Sequence, residues 1–210
     1  QHGLVHTDVS STNHSIDGYI WLGTWGGLSR FDGTQFVNFT TKHGLGDNMI
    51  YKVISDRLGN LFIATILQGF SIYEGAGIEW FLAEDGFLDY QPSSLSCDYN
   101  GNVWDGTRGG GLRRLNKDGL VQYTTTQGLL QNNIIHIHPT PSGTILFSYE
   151  LPAFSSFDGE NLTSYSTAQG LTHTFINCIL KDTEERVWLG SYSGITCLDG
   201  LSCRTYSYGP

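Results

Sequence analysis

Gly-Leu or Gly-Phe pairs begin at Gly3, Gly44, Gly86, Gly128 and Gly170, so they recur at intervals of 41, 42, 42 and 42 residues along the 210-residue chain. Eighteen residues after each glycine comes an apolar position: Trp21, Phe62, Trp104, Leu146 and Trp188. A third series runs Leu28, Phe70, Leu112, Phe154 and Ile195. Three markers in constant phase define an internal repeat of five units. A unit of this length cannot bury its apolar surface alone and must stack on its neighbours.

Within a unit the turn chemistry asks for four short strands. In the second, "IYKVISD" reverses through "DRLGN" into "LFIAT", with Gly59 free to take φ > 0. "GFSIY" then turns at Glu74-Gly75 into "IEWFLA"; other units place Asp32-Gly33, Asp158-Gly159 and Asp199-Gly200 at that last turn, a hairpin signal between apolar runs. No segment keeps a 3.6-residue apolar period, so essentially no helix is expected. Four antiparallel strands per unit of about 42 residues predict an all-β, five-bladed β-propeller in one domain, 1–210. The blades are expected at approximately 1–42, 43–84, 85–126, 127–168 and 169–210. The first strand of unit one and the last of unit five each belong to their own blade. The expected ring is therefore closed by packing between first and last blades, without strand exchange. An excerpt from a longer array is the alternative, and its open apolar end would invite pairing.

The pattern Gly-Leu, then Asp-x-x-Gly-Asn, then Trp-Ile/Leu-Gly-Thr, then Gly-Gly-Leu-x-Arg-Phe/Tyr-Asp-Gly resembles the two-component regulator propeller repeat. Here it reads "DRLGNLFIAT" at 56–65, "DYNGNVWDGT" at 98–107, "ERVWLGS" at 185–191 and "GGLSRFDG" at 26–33. Members with this repeat often carry more blades and form extracytoplasmic sensor regions of bacterial hybrid regulators that respond to glycans. The resemblance thus implies a propeller and a periplasmic or extracellular location. The chain has no kinase or receiver segment, so the signalling role does not come with it. Trp104-Asp105 is not a WD repeat, because its counterparts are Trp21-Leu22, Phe62-Ile63, Leu146-Phe147 and Trp188-Leu189.

Eleven Lys and Arg against 20 Asp and Glu give a net charge of −9, which leaves no basic stripe for phosphates or anionic lipids. Nucleic acid and membrane insertion are therefore not expected. No run reaches the roughly 18 apolar residues of a membrane helix, and "QHGLVHTDVSS" has neither a basic n-region nor an apolar h-region. A soluble monomer is expected.

By the geometry of the resembled fold, the loops before the first strand and between the second and third share one face. This gathers His6, Thr7 and Asp8; Asp47 and Asn48; Asp89 and Tyr90; Gln131 and Asn132; His173 and Thr174. It adds Trp25, Ile66 with Gln68, Arg108, Glu150 and Tyr192. Framework positions repeat, whereas these differ in every unit, as a unique site requires and as relaxed loops also allow. The expected ligand-binding residues are Trp25, Tyr90, Arg108, Glu150, Tyr192, His6, Asp47 and His173. Aromatic plates beside carboxylates and amides suit a glycan or another small polar ligand, bound without catalysis and without a cofactor. The alternatives are a protein-interaction or assembly scaffold, and a propeller lyase or hydrolase for which His6, His173 and Glu150 offer only unpaired groups.

Asp105 interrupts an otherwise apolar column, Leu22, Ile63, Phe147 and Leu189. A buried carboxylate needs a partner, and Arg108, Arg113 or Arg114 could supply one. An ion pair is expected ahead of a catalytic acid, with Asp105→Leu preserving the fold. "DYNGN" at 98–102 aligns with the hairpin turn "DRLGN" and lacks the later glycine and glutamate of an EF-hand loop, so calcium is not expected. His136 and His138 share one strand face without a predictable third metal ligand. Cys97, Cys178, Cys197 and Cys203 show no C-x-x-C spacing; a disulfide between Cys197 and Cys203 is possible, but packed free thiols are expected.

Overall fold

The structure, a computed structural model, describes residues 3–66, 70–75, 77–81, 90–116, 118–171, 175–200 and 202–207. Each repeat gives four strands. The first supplies β1 (Val9–His14), β2 (Ile20–Thr24), β3 (Gly27–Phe31) and β4 (Phe36–Phe39); the second β5 (Ile50–Ser55), β6 (Leu61–Thr65), β7 (Phe70–Tyr73) and β8 (Ile78–Phe81). The third supplies β9 (Pro92–Cys97), β10 (Val103–Thr107), β11 (Leu112–Asn116) and β12 (Gly119–Tyr123). The fourth has β13 (Ile134–Pro139), β14 (Ile145–Tyr149), β15 (Leu151–Phe157) and β16 (Leu162–Tyr165), and the fifth β17 (Cys178–Lys181), β18 (Val187–Ser191), β19 (Gly194–Asp199) and β20 (Ser202–Tyr206). Consecutive strands pair antiparallel into five four-stranded sheets, the blades of a five-bladed β-propeller. The chain forms two compact units, residues 1–97 and 98–210.

The repeat markers explain the cores. In the first unit Trp21 and Leu28, both essentially inaccessible, pack on Ile50, Val53, Leu61 and Ile63 of the following blade. In the second, Trp104 and Leu112 meet Ile134, Ile137 and Phe147, while Leu146 and Phe154 meet Ile176, Ile179 and Leu189. Each such apolar side chain withdrawn from water contributes about 1.5–3 kcal/mol. The glycine after the apolar pair is a spacing device. A Cβ at Gly23 would come within 2.6 Å of Ile50 Cγ2, and one at Gly106 within 2.7 Å of Ile134 Cγ2.

The Asp and Trp of the motif, six residues apart, form one hydrogen-bonded unit. Asp98 Oδ1 accepts the amides of Asn100 and Asn102 at 2.9 Å; its Oδ2 accepts Asn102 Nδ2 at 2.7 Å and Trp104 Nε1 at 2.8 Å. In the fifth blade Asp182 Oδ2 takes Trp188 Nε1 at 2.7 Å and Arg186 Nε at 2.8 Å. The first blade shifts its aspartate by two positions, and Ser15 Oγ accepts the Trp21 indole instead at 3.1 Å. In "DYNGN" both oxygens of Asp98 are thus directed at protein donors.

The Gly-Leu marker also acquires a physical reason. Among the described residues there is no α-helix, but single 3-10 turns occur at Thr41–His43, Thr125–Gln127 and Thr167–Gln169. Thr40, Thr124 and Ser166 cap them reciprocally with His43, Gln127 and Gln169. Gly44, Gly128 and Gly170 follow in left-handed conformation, and Leu45, Leu129 and Leu171 then enter the core.

Cys178, Cys197 and Cys203 are free thiols. On β19 and β20, Cys197 stands opposite Arg204 and Leu198 opposite Cys203, so the two thiols leave opposite faces of the sheet and cannot bridge.

Candidate ligand-binding face at the loop ends

One backbone hydrogen bond recurs where the two variable loops of a blade meet. The residue after the second strand donates its amide to the carbonyl of the residue before the first strand: Trp25 to Asp8 at 3.1 Å, Ile66 to Met49 at 2.8 Å and Glu150 to Asn133 at 3.1 Å. Both loop sets therefore end together in these blades, on a shared backbone scaffold that carries unlike side chains.

In the first unit Trp25 leaves the framework and is 51% exposed. His6 lies against its neighbour Gly26, where an added Cβ would come within 2.8 Å of His6 Cβ. His6 Nδ1 accepts the Asp8 amide at 3.1 Å and stands 3.9 Å from Asp8 Oδ2. Asp47, at the place that corresponds to His6, turns back on its own loop and accepts the Met49 amide at 3.2 Å. Tyr90, partly buried, precedes β9. Gln68, Asp89, His173 and Thr174 lie outside the described residues.

In the second unit the loop after β10 reaches the start of the next blade. Gly109 and Gly111 both donate to the Asn132 carbonyl, at 3.2 and 2.8 Å, and Arg108 forms an isolated antiparallel bridge with Asn133. Residues directly opposite across such a bridge send their side chains to the same side, with Cβ atoms about 5 Å apart. Asn133 Nδ2 in turn donates to Glu150 Oε2 at 2.7 Å. Arg108, Asn133 and Glu150 thereby gather at one end of the third and fourth blades. Arg108 and Glu150 are exposed, and neither forms an ion pair among the described residues. Tyr192, 89% exposed, crowns the turn between β18 and β19.

Asn133, which joins the other two, is absent from the sequence-derived set because it borders β13 and looks like framework. Its column does hold the signal: Asp8, Met49, Gln91, Asn133 and Phe175 are as diverse as the loop positions.

The same region departs from the repeat pattern inside the blades. Thr24, Thr107 and Ser191 donate their hydroxyls to the carbonyls of Gly27, Gly111 and Gly194 at 2.7, 3.0 and 3.1 Å. In the fourth blade Tyr149 replaces this hydroxyl. It is fully buried, meets Ser155 Oγ at 2.8 Å, and burial pushes its phenol above the usual range. On β10 and β11, Asp105 is paired with Arg113, whose Nε donates to Oδ2 at 2.9 Å and whose Nη2 also contacts that oxygen. Burial pushes the Asp105 carboxyl up against the opposing pull of Arg113. Of the three candidate arginines the partner is Arg113; Arg114 instead lies over the Trp104 ring. Asp105→Leu would remove the carboxylate to which the buried guanidinium of Arg113 is bound.

His136 and His138 stand opposite Ser148 and Leu146 and share a strand face, and burial lowers the His138 pKa. Among the described residues no three metal-ligating side chains cluster. An apolar pocket in the second unit is lined by Leu112, Tyr123, Leu129, Phe147, Phe157 and Leu162. Its one amide side chain, Gln127, is already engaged in capping Thr124, so little is left there to orient a polar ligand.

Residues 170–193 match the two component regulator propeller family. No curated protein matches the chain. Among solved structures it is similar to the extracellular domain of a putative hybrid two component system from B. thetaiotaomicron, at 23% identity and TM-score 0.71, over 91% of this chain and 27% of that one. Virginiamycin B lyase from Staphylococcus aureus is similar at 13% identity and TM-score 0.75, over 96% of this chain and 70% of the lyase. PorZ, a bacterial surface component of the type-IX secretion system of Porphyromonas gingivalis, is similar at 15% identity and TM-score 0.68, over 90% and 32%. At these identities the likeness is one of fold. The chain spans about a quarter of the length of the two component system domain. No helix among the described residues is long and apolar enough to cross a membrane. The fifth unit thus matches the two component regulator propeller family, and the chain as a whole shares the β-propeller fold of its structural neighbours.

Proposed function

We propose that the chain is a non-catalytic recognition propeller, extracytoplasmic like the two component system domain it resembles, which takes a glycan or small polar ligand at its loop ends. The observation that carries this is the recurrent amide-to-carbonyl bond, which holds Trp25, Ile66 and Glu150 on equivalent backbone while their side chains differ completely. A scaffold that is constant where it packs and diverse where it ends is what binding specificity calls for. In the first unit Trp25 exposes a flat apolar surface of the kind that stacks on sugar rings; in the second Tyr192 does so, and Glu150, Asn133 and Arg108 offer acceptors and donors to hydroxyls.

The test is a glycan array probed with the wild-type chain, Trp25→Ala and Tyr192→Ala. Saccharide binding that falls in either variant supports the reading. Binding to a protein partner that survives both substitutions, with no saccharide retained, favours an assembly scaffold instead.

A further inference from the structure

We infer that the Arg108–Asn133–Glu150 cluster is a subsite for the carboxylate of a hexuronate-bearing saccharide, an inference that rests on the recognition function proposed above. The backbone bridge between Arg108 and Asn133 places their side chains on one side, and the Asn133 amide holds Glu150 at 2.7 Å. Glu150 Oε2 is thereby directed at Asn133, and the exposed guanidinium of Arg108 makes no ion pair among the described residues. In a chain of net charge −9, with only 11 basic residues, an exposed arginine that pairs with none of the described carboxylates offers a cation to an anionic ligand group.

The chemistry of the three groups narrows what that is. A planar guanidinium matches a carboxylate with two parallel hydrogen bonds. The free side-chain oxygen of Asn133 and the second oxygen of Glu150 accept from hydroxyls next to that carboxylate. The negative charge of Glu150 opposes a multiply charged phosphate at the same place, whereas a singly charged sugar acid presents one anionic group beside neutral hydroxyls. The exposed ring of Tyr192, on the corresponding turn of the fifth blade, offers an aromatic plate to the pyranose chain. Departures from the repeat pattern at Tyr149 and at Asp105 with Arg113 fall in the two blades that supply the cluster, as expected where function overrides the framework.

The experiment is calorimetric titration of the chain with oligomers of galacturonate, glucuronate and mannuronate, each beside its methyl ester and a neutral oligomer of the parent hexose. At least one acid is expected to bind roughly tenfold or more tightly than its ester, and Arg108→Gln to abolish that preference while Arg108→Lys retains part of it. Equal binding of acids and esters, or an acid preference that survives Arg108→Gln, overturns the carboxylate subsite and leaves the saccharide reading standing. No binding by any oligomer overturns the carboxylate subsite, and the saccharide reading falls with it only if the glycan array is negative as well.

Discussion

Asp105 stands directly opposite Arg113 across β10 and β11, at the position where Leu22 faces Ser29, Ile63 faces Ser71, Phe147 faces Ser155 and Leu189 faces Thr196. Four blades solve this position with an apolar residue and a small hydroxyl, and the third blade with a buried ion pair. Breaking a buried ion pair by removing one partner costs about 3–5 kcal/mol. Asp105→Leu is therefore expected to lower the denaturation midpoint sharply. Asp105→Leu with Arg113→Ser recreates the first-blade pair and is expected to return stability close to wild type. Chemical denaturation of the single and double variants measures the coupling.

Glu185 takes φ 65°, where the corresponding residues of the other blades are Gly18, Gly59, Gly101 and Gly143 at 82° to 93°. A left-handed non-glycine residue costs about 1–2 kcal/mol, and the ion pair of Glu185 with Lys181 is too exposed on the glutamate side to offset much of it. Glu185→Gly is expected to raise the thermal midpoint, with a gain of up to about 1 kcal/mol; an unchanged or lower midpoint contradicts the strain.

Acid should unfold the protein through its turn aspartates. Backbone amides of Gln35 and Asn161 hold Asp32 and Asp158 below the usual carboxylate range, and the Trp188 indole does the same for Asp182 ahead of Arg186. A carboxyl depressed on folding adds stability that is present above its unfolded pKa, about 3.9, and is lost as pH falls toward its folded value. Asp105 is shifted the other way, so stability falls as pH rises from about 3.9 through its folded pKa. Asp182→Asn is expected to flatten the decline of stability below about pH 4, read from urea midpoints across the acid range.

The capping boxes allow a graded test. His43 Nδ1 accepts the Thr40 amide at 3.0 Å, the task of Gln127 for Thr124 and Gln169 for Ser166 at 2.8 Å. His43→Gln is expected to leave the thermal midpoint within error, and Thr40→Ala to cost about 1 kcal/mol.

The propeller was legible because several blades put the same residue types to the same tasks. Gly44, Gly128 and Gly170 cap a 3-10 turn, Asp98 and Asp182 hold an indole, and Gly23 and Gly106 admit the next blade's isoleucine, so the period carries the architecture. Pairings within a blade were less legible, because they depend on strand register at single-residue precision. Three arginines could have met Asp105, and register selects Arg113; one residue of offset on β19 and β20 separates Cys197 from Cys203. At the loop ends the sequence marked Arg108 and Glu150 but not Asn133: its column is diverse, but the bridge that joins it to Arg108 across blades is visible only in the structure.

On the function proposed above, loop-end side chains bind a ligand while the repeated framework builds the blades. The most direct measurement is saccharide binding and thermal midpoint, side by side, for wild type, Trp25→Ala, Tyr192→Ala and Trp104→Phe. Trp25→Ala and Tyr192→Ala are expected to keep the wild-type midpoint and lose binding. Trp104→Phe, deprived of its bond to Asp98, should lose about 1–2 kcal/mol of stability and keep binding in the folded protein. Full saccharide binding by both loop variants, or no saccharide binding by wild type, would contradict that function.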